Sequence, residues 1–323
     1  MNVTVRSFAK INLGLWIGAP REDGFHELLT VYQTIGLHDV IRVRVERGSG
    51  IEIRCDDPRV PRDESNTCFR IVERALKSLR TKGRIVVDIE KRLPVQGGLG
   101  GASANAVATL LALERASRKS LPFAEKLRIA AEVGSDLPLF LVGGTVLGLG
   151  RGERVFPLPD FPATPCVVVT PEVGVSTAKA FADWDRVRGK LTPQPASDRI
   201  NELGRELSAR LGEAYKRQFY SGAPLRRGRA ENPLLDLVRT GIQNDFESVV
   251  FPEYPDLREG KRALERAGAK YASLSGSGST LYGLFVSRKA AVTAVARLRK
   301  QGWAAQVTST VARQAYWRRI FVG

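Results

Sequence analysis

Residues 94–112 read PVQGGLGGASANAVATLLA, and four glycines fall within five positions, at Gly97, Gly98, Gly100 and Gly101. They strip the side-chain wall from a loop that runs straight into small and then apolar residues. Such a junction can lay bare backbone N–H groups against an anion. The first amides of a helix have no intrahelical partner, and the helix dipole places roughly half a positive charge at that end. Ser103 falls in the first turn, where its hydroxyl can cap the helix, meet a phosphate oxygen or join the shell of a phosphate-bound cation. The competing reading is a glycine turn that only lets the helix pack closely on its neighbour. No Gly-Lys-Ser or Gly-Lys-Thr closes the loop, so it is not a P-loop. Nor does an acidic residue about 20 positions on complete a dinucleotide fingerprint.

Working outward, residues 85–89 predict a strand that delivers the chain to the loop, and 102–116 are apolar on nearly every side, as in a buried helix. A buried helix cannot leave its first amides unpaired, which points to a docked anion. A helix over 122–133 stops at Gly134. At Ser135-Asp136-Leu137-Pro138 another turn begins, where Asp136 is either a favourable charge at a helix start, worth ~0.3–1 kcal/mol, or a group with chemistry. Gly143-Gly144-Thr145 leads into a strand ending near Leu149, and Pro157, Pro159, Pro162 and Pro165 mark a domain junction.

Upstream, the first strand alternates: Ile11, Leu13, Leu15 and Ile17 fall on one face and Lys10, Asn12 and Gly14 on the other. Lys10 and Asn12 therefore point the same way. A turn at Asp23-Gly24 then presents Phe25 and His26. Alternation over 41–45 and 51–53 reads as a half-exposed hairpin, and Ser65 or Asn66 caps a helix whose inward face is Ile71, Val72, Ala75, Leu76 and Leu79. Downstream of the junction come an apolar strand at 166–170, a short helix carrying Phe181 and Trp184, and a polar, basic stretch at 185–230 that reads as an insertion with helical pieces. The remainder reads helix (256–267), strand (271–274), glycine turn, strand (280–286), helix (289–300) and strand (304–309). That order suits a split βαβ layout with helices on one sheet face. The turn, Ser275-Gly276-Ser277-Gly278-Ser279, is either a second anion nest or a tight hairpin.

At 323 residues the chain has room for two domains, and 43% hydrophobic with 26% charged residues is ordinary for a globular protein. No apolar run approaches the ~18 residues that span a bilayer, so no membrane partner is expected. The N-terminus enters a strand pattern directly, without the pattern of a signal peptide, which places the expectation in the cytoplasm. Three widely spaced cysteines, Cys55, Cys68 and Cys166, suit a reducing compartment and neither a disulfide frame nor a metal knuckle. The net charge of +16 is spread along the chain and only 7% of residues are aromatic, so no stacking platform for nucleic acid is expected.

Four separated stretches, AKINLGL (9–15), GFHEL (24–28), PVQGGLGGASANA (94–106) and SLSGSGST (273–280), occur in the order and spacing of the galactokinase, homoserine kinase, mevalonate kinase and phosphomevalonate kinase (GHMP) superfamily. Within it the chain resembles the 4-diphosphocytidyl-2-C-methyl-D-erythritol kinases, and GSDLPLF (134–140) and QNDFE (243–247) fit the same resemblance. The likeness covers most of the chain outside 185–230.

The resemblance implies an α+β, two-domain GHMP-kinase fold: residues 1–160 like domain 2 of ribosomal protein S5, and 161–323 ferredoxin-like with the polar insertion. It implies ATP-dependent phosphorylation of the C2 hydroxyl of the cytidine diphosphate-linked polyol, in non-mevalonate isoprenoid precursor synthesis. ATP would be held by Pro94, Val95, Gln96, Gly97, Gly98, Leu99, Gly100, Gly101, Ala102, Ser103 and Ala104. Asp136 matches the catalytic base and Lys10 its partner, and Asn12 helps hold the acceptor. Mg²⁺ would be carried in on ATP, without a dedicated carboxylate cage. At the substrate end Phe25, where tyrosine is usual, stacks on the cytosine and His26 reads its edge. Phe181, or alternatively Trp184, forms the second face, and Thr177 joins the same pocket. A different small-alcohol kinase of the superfamily, an RNA-binding S5-like module and a degenerate kinase serving as scaffold are the rival expectations. The sequence leaves the oligomeric state open.

Overall fold

The computed structural model describes residues 2–188, 201, 204–205, 208–209, 212, 232, 234–235, 238 and 242–322. The insertion expected over 185–230 lies outside the described residues except at 185–188 and the isolated positions just given. The first half forms β1 (Asn2–Pro20), β2 (His26–Glu46), β3 (Gly50–Cys55), α1 (Thr67–Leu79), β4 (Arg84–Glu90), α2 (Gly101–Ser117), α3 (Phe123–Val133), α4 (Leu137–Val142), β5 (Thr145–Gly150) and β6 (Arg154–Pro157). There follow β7 (Pro165–Val169), α5 (Thr177–Arg188), α6 (Glu247–Glu253), α7 (Pro255–Arg266), β8 (Tyr271–Leu274), β9 (Leu281–Leu284), α8 (Arg288–Lys300), β10 (Ala305–Ser309), α9 (Arg313–Arg319) and β11 (Phe321–Val322).

The first sheet runs β11-β1-β2-β4-β3, with β5 paired along β2 and β6 along β5. The hairpin expected over 41–53 is not formed, because β4 inserts between β2 and β3 and pairs with β3 in parallel. Burial explains the exchange. Ile85, Val86 and Val87 of β4 are fully buried, so β4 needs neighbours on both edges, whereas Arg54 of β3 is exposed and suits an edge strand. The chain between β3 and β4 is α1, whose start is capped by Asn66: its Oδ1 accepts from the Cys68 amide at 2.8 Å. Ile71, Val72 and Ala75 of α1 pack with the buried residues of α2, which is sealed from Ala104 to Glu114. With so little polar surface to place in water, α2 has to be the central helix of this half.

The second sheet is antiparallel throughout, in the order β10-β7-β9-β8. Counted within this half the order is 4-1-3-2, the split βαβ arrangement anticipated from the element order. Val167 and Val169 of β7 face the core that includes Leu257 and Leu264 of α7 and Ala291 and Val295 of α8. Cys166 and Val168 turn the other way, onto Ile11, Leu13 and Trp16 of β1. The chain end then returns to the first sheet, where Val5 pairs with Phe321.

One departure along β1 matters for the site. A bulge between Asn12 and Gly14 shifts the register against β2, and the two faces exchange. Ile11 before it and Leu13 within it join the core shared with β7. After it that core receives Trp16, while Leu15 and Ile17 go to the core of α7 and α8. The uninterrupted alternation of Ile11 to Ile17 expected from the sequence is therefore broken at its middle.

Candidate active site

Lys10 and Asn12 share a face of β1 and are almost completely buried. The Lys10 Nζ donates to Asn12 Oδ1 at 2.7 Å and lies 3.3 Å from Asp136 Oδ2. Asn12 in turn donates from Nδ2 to Thr30 Oγ1 at 2.8 Å. Directly opposite Asn12 in the β1–β2 register stands Tyr32, whose hydroxyl donates to Asp136 Oδ1 at 2.9 Å. Burial, reinforced by the Asp136 carboxylate, pushes the Tyr32 phenol well above its ordinary pKa, so it stays a hydroxyl donor. Asp136 occupies the N-cap position of α4 yet makes no capping bond. Its two oxygens are turned instead toward a cation and a phenol, and its side chain keeps 31% exposure toward the cleft. Asp136 thus stands at a helix start, as the simpler reading requires, but both of its oxygens are engaged by cleft side chains and neither caps the helix.

The glycine loop meets this carboxylate from the other side. Its carbonyls face the protein: Leu99 O accepts from the Lys10 amide, Gly97 O from the Thr280 amide and Gly98 O from Ser275 Oγ at 2.9 Å. With those oxygens committed inward, and Ala104 N already donating to Gly100 O, the amides at the first turn of α2 stand at the cleft without intrahelical acceptors. Gly100 is the N-cap and offers no side chain, and Ser103 makes no capping hydrogen bond among the described residues. Gly98 and Gly100 both adopt left-handed backbone. A Cβ on Gly100 would fall 3.0 Å from both Lys10 Cγ and Phe140 Cζ, which ties the loop sterically to the catalytic lysine candidate.

QNDFE is the brace for this assembly. Asn244 Nδ2 donates to Leu274 O and Gly276 O at 2.9 and 2.7 Å, Asp245 Oδ2 accepts from the Ile17 amide, and Glu247 Oε1 accepts from Ser273 Oγ and the Leu274 amide. The stretch thereby fastens β1 to the β8–β9 turn, and the turn holds the loop through Ser275 and Thr280. Gly98 is the tightest point, since a Cβ there would land 2.1 Å from Ser275 O at φ +74°. Gly98→Ala is expected to cost ~1–2 kcal/mol from backbone conformation alone. For a domain of this size that lowers Tm by roughly 2–8 °C in thermal denaturation, and an unchanged Tm would mean that loop and turn are not locked together.

At the far end of the cleft His26 is buried, with its ring stacked on Phe181 at 5.0 Å between centroids and 10° from parallel. Phe246 backs Phe181 edge-on. Thr177 Oγ1 lies 2.8 Å from Ser277 Oγ. Phe25 is exposed, and the Arg151 guanidinium lies over its ring at 4.8 Å. Trp184, the alternative to Phe181, is buried in the core beside Val167 and Val175, so α5 offers the cleft Phe181 alone of the pair. Apart from the alternative Trp184, every candidate residue from the sequence lines one cleft of about 640 Å³ except Ala104, which is turned into the core.

Sequence reasoning missed Tyr32, Arg151, Phe246 and a buried anchor, Asp39. The Asp39 carboxylate accepts from Lys91 Nζ at 2.6 Å, from the Arg92 and Leu93 amides and from Asn105 Nδ2, pinning the entry of the loop to the second turn of α2. The three cysteines are buried and form no disulfide. Burial pushes the Cys68 thiol up to about 12 and raises Cys166 too, so neither supplies a thiolate. Among the described residues no group of three His, Cys, Asp or Glu side chains could hold a metal ion, and no helix is long and apolar enough to cross a membrane.

Comparison with known proteins places this geometry in a wider group. The GHMP kinases N terminal domain matches residues 66–144, and the GHMP kinases C terminal domain matches 227–303. A protein of Solibacter usitatus named 4-diphosphocytidyl-2-C-methyl-D-erythritol kinase is 37% identical over 319 residues, which is 98% of this chain and 92% of its own. A protein of the same name from Acaryochloris marina is 34% identical over 289 residues, covering 89% of this chain and 88% of its own. A crystal structure of 4-(cytidine 5'-diphospho)-2C-methyl-D-erythritol kinase, 27% identical, superposes with a TM-score of 0.70 over 95% of this chain and 98% of that one.

Proposed function

The chain belongs to the 4-diphosphocytidyl-2-C-methyl-D-erythritol kinases of the GHMP family, ATP-dependent enzymes with an alcohol acceptor, and from that membership we propose how its cleft divides the work. The acceptor is 4-diphosphocytidyl-2-C-methyl-D-erythritol, whose C2 hydroxyl receives the γ-phosphoryl group. Asp136 takes the hydroxyl proton as the C2 oxygen bonds to the γ-phosphorus and the bond to the departing diphosphate oxygen breaks. Lys10 supplies positive charge beside the transferring group, while Tyr32 and Asn12 fix the carboxylate and the ammonium in place. Phosphoryl transfer asks chiefly for in-line positioning and charge stabilisation, so this set is sufficient. The observation that carries the reading is the Asp136 carboxylate, tied to Lys10 at 3.3 Å and to Tyr32 at 2.9 Å beside the uncovered helix start.

Residues 94–103 hold the nucleotide phosphates, supported by the inward commitment of the loop carbonyls and the uncovered amides at the start of α2. The half-buried Ser103 on that first turn suits Mg²⁺ delivered on ATP, with phosphate oxygens and water completing its shell. The cation neutralises phosphate charge when bound. The nucleotide-holding domain is taken as residues 1–160 and its partner as 161–323, supported by their separate sheets, although residues 313–322 rejoin the first.

Phe25, His26, Phe181 and Thr177 hold the cytidine end. Incubation with MgATP and the cytidine diphosphate-linked polyol should yield a product heavier by one phosphoryl group, and no product would remove the reading. Cytidine 5′-diphosphate should compete with the acceptor, whereas uridine 5′-diphosphate should be weaker by a factor of roughly 5–150. Uracil presents a carbonyl where cytosine presents an amino group, and an unpaired buried polar group costs ~1–3 kcal/mol. Equal inhibition constants would move the assignment to a superfamily kinase for a simpler alcohol.

A further inference from the structure

Thr177, Phe181 and Asp185 are spaced four residues apart on α5 and so share one helix face. Two of them grip the same ring. Phe181 stacks on His26, and Asp185 Oδ1 lies 2.8 Å from His26 Nε2. An ionised carboxylate only accepts, so Nε2 has to carry the proton in that bond. In the neutral ring Nδ1 is then a lone-pair acceptor, and it makes no other hydrogen bond among the described residues. Asp185 lies outside every motif read from the sequence and is exposed, with no other ion pair among the described residues.

On the reading that the cytidine end binds here, we infer that Asp185 is a specificity-positioning residue: it holds His26 in the Nε2–H tautomer, so that Nδ1 accepts from the exocyclic amino group of cytosine and meets the O4 carbonyl of uracil with lone pair against lone pair. The carboxylate touches neither the base nor the reacting atoms. It acts through the ring, as the outer partner of a histidine decides which nitrogen is free. Without Asp185 both tautomers become available, and the Nδ1–H form can donate to the uracil carbonyl.

The chain holds only two histidines, which makes the tautomer readable. His38 Nδ1 lies 2.8 Å from Gly36 O and must donate to it, so the two rings are expected in opposite tautomers. Nitrogen-15 NMR of the imidazoles, with His38→Gln assigning the pair, should find His26 protonated at Nε2 in the otherwise unaltered protein and a mixture in D185A. The ratio of uridine to cytidine diphosphate inhibition constants should fall about fivefold or more in D185A. D185N, which can still accept through Oδ1, should lie between. A His26 ring protonated at Nδ1, or a D185A protein with both tautomer and ratio intact, overturns the assignment of Asp185 and leaves the cytidine reading standing. Failure of cytidine diphosphate to compete in the unaltered protein removes the cytidine reading, and this assignment with it.

Discussion

Replacing Asp136 with alanine should lower turnover by ~10²–10⁴ while ATP still binds, because a positioned general base contributes about that much and does not hold the nucleotide. The structure sharpens the expectation through what Asp136 does not do. It is the N-cap of α4 but caps nothing, and that helix is anchored by buried Leu137, Leu139 and Phe140. The helix therefore does not depend on it, but its loss leaves the buried Lys10 ammonium without its ion pair and the Tyr32 hydroxyl without its acceptor, so Tm is measured beside the rate to separate chemistry from stability. Asp136→Asn is the stricter variant, since an amide keeps the size and can still accept from Tyr32 but cannot take a proton. Single-turnover transfer in that variant should be slowed as much as in the alanine variant, with ATP affinity by calorimetry and Tm near those of the unaltered protein. Full single-turnover rates would send the proton elsewhere, for instance directly to a phosphate oxygen.

What could be read in advance follows from which interactions are local. The loop, the helix it starts and the shared face of Lys10 and Asn12 rest on glycine spacing and a period of two, and both are written in neighbouring residues. The split βαβ layout of the second half was suggested by element order, and the strand order agrees with it. Pairing was harder. The edge place of β3 is decided by how completely β4 is buried, a property of the assembled sheet that alternation in either strand does not carry. The bulge after Asn12 leaves no mark in a run that alternates cleanly on paper, and only the mismatch with β2 exposes it. Tyr32 reads as a core aromatic. The available signal was Thr30, Tyr32 and Thr34 at a period of two, a polar stripe facing the one that contains Lys10 and Asn12. Asp39 and Asp185 act across 52 and 159 residues of chain respectively, and no local pattern joins such partners.

Removing the Lys10 ammonium should do damage of the same order as removing the base, about 10²–10³ in turnover, the loss typical of one preorganised donor to developing charge. Two variants separate the ways this could happen. In Lys10→Ala the stem that packs on Gly100 disappears together with the charge, so the loop loses a wall as well as a cation. Lys10→Met keeps most of the stem and removes only the ammonium, leaving Asn12 Oδ1 without its donor and Asp136 with Tyr32 alone. If the charge is what matters, both variants should lose turnover alike, and the methionine variant should bind ATP nearly as well as the unaltered protein. If Lys10 serves mainly to shape the loop, the alanine variant alone should lose nucleotide affinity, and the methionine variant should turn over normally. A rise in apparent KM with kcat preserved would mark Lys10 as a binding residue that does not assist the chemical step. Because Lys10 and Asp136 touch, the double variant should be less impaired than the product of the single effects, and strict multiplicativity would show that the two act independently.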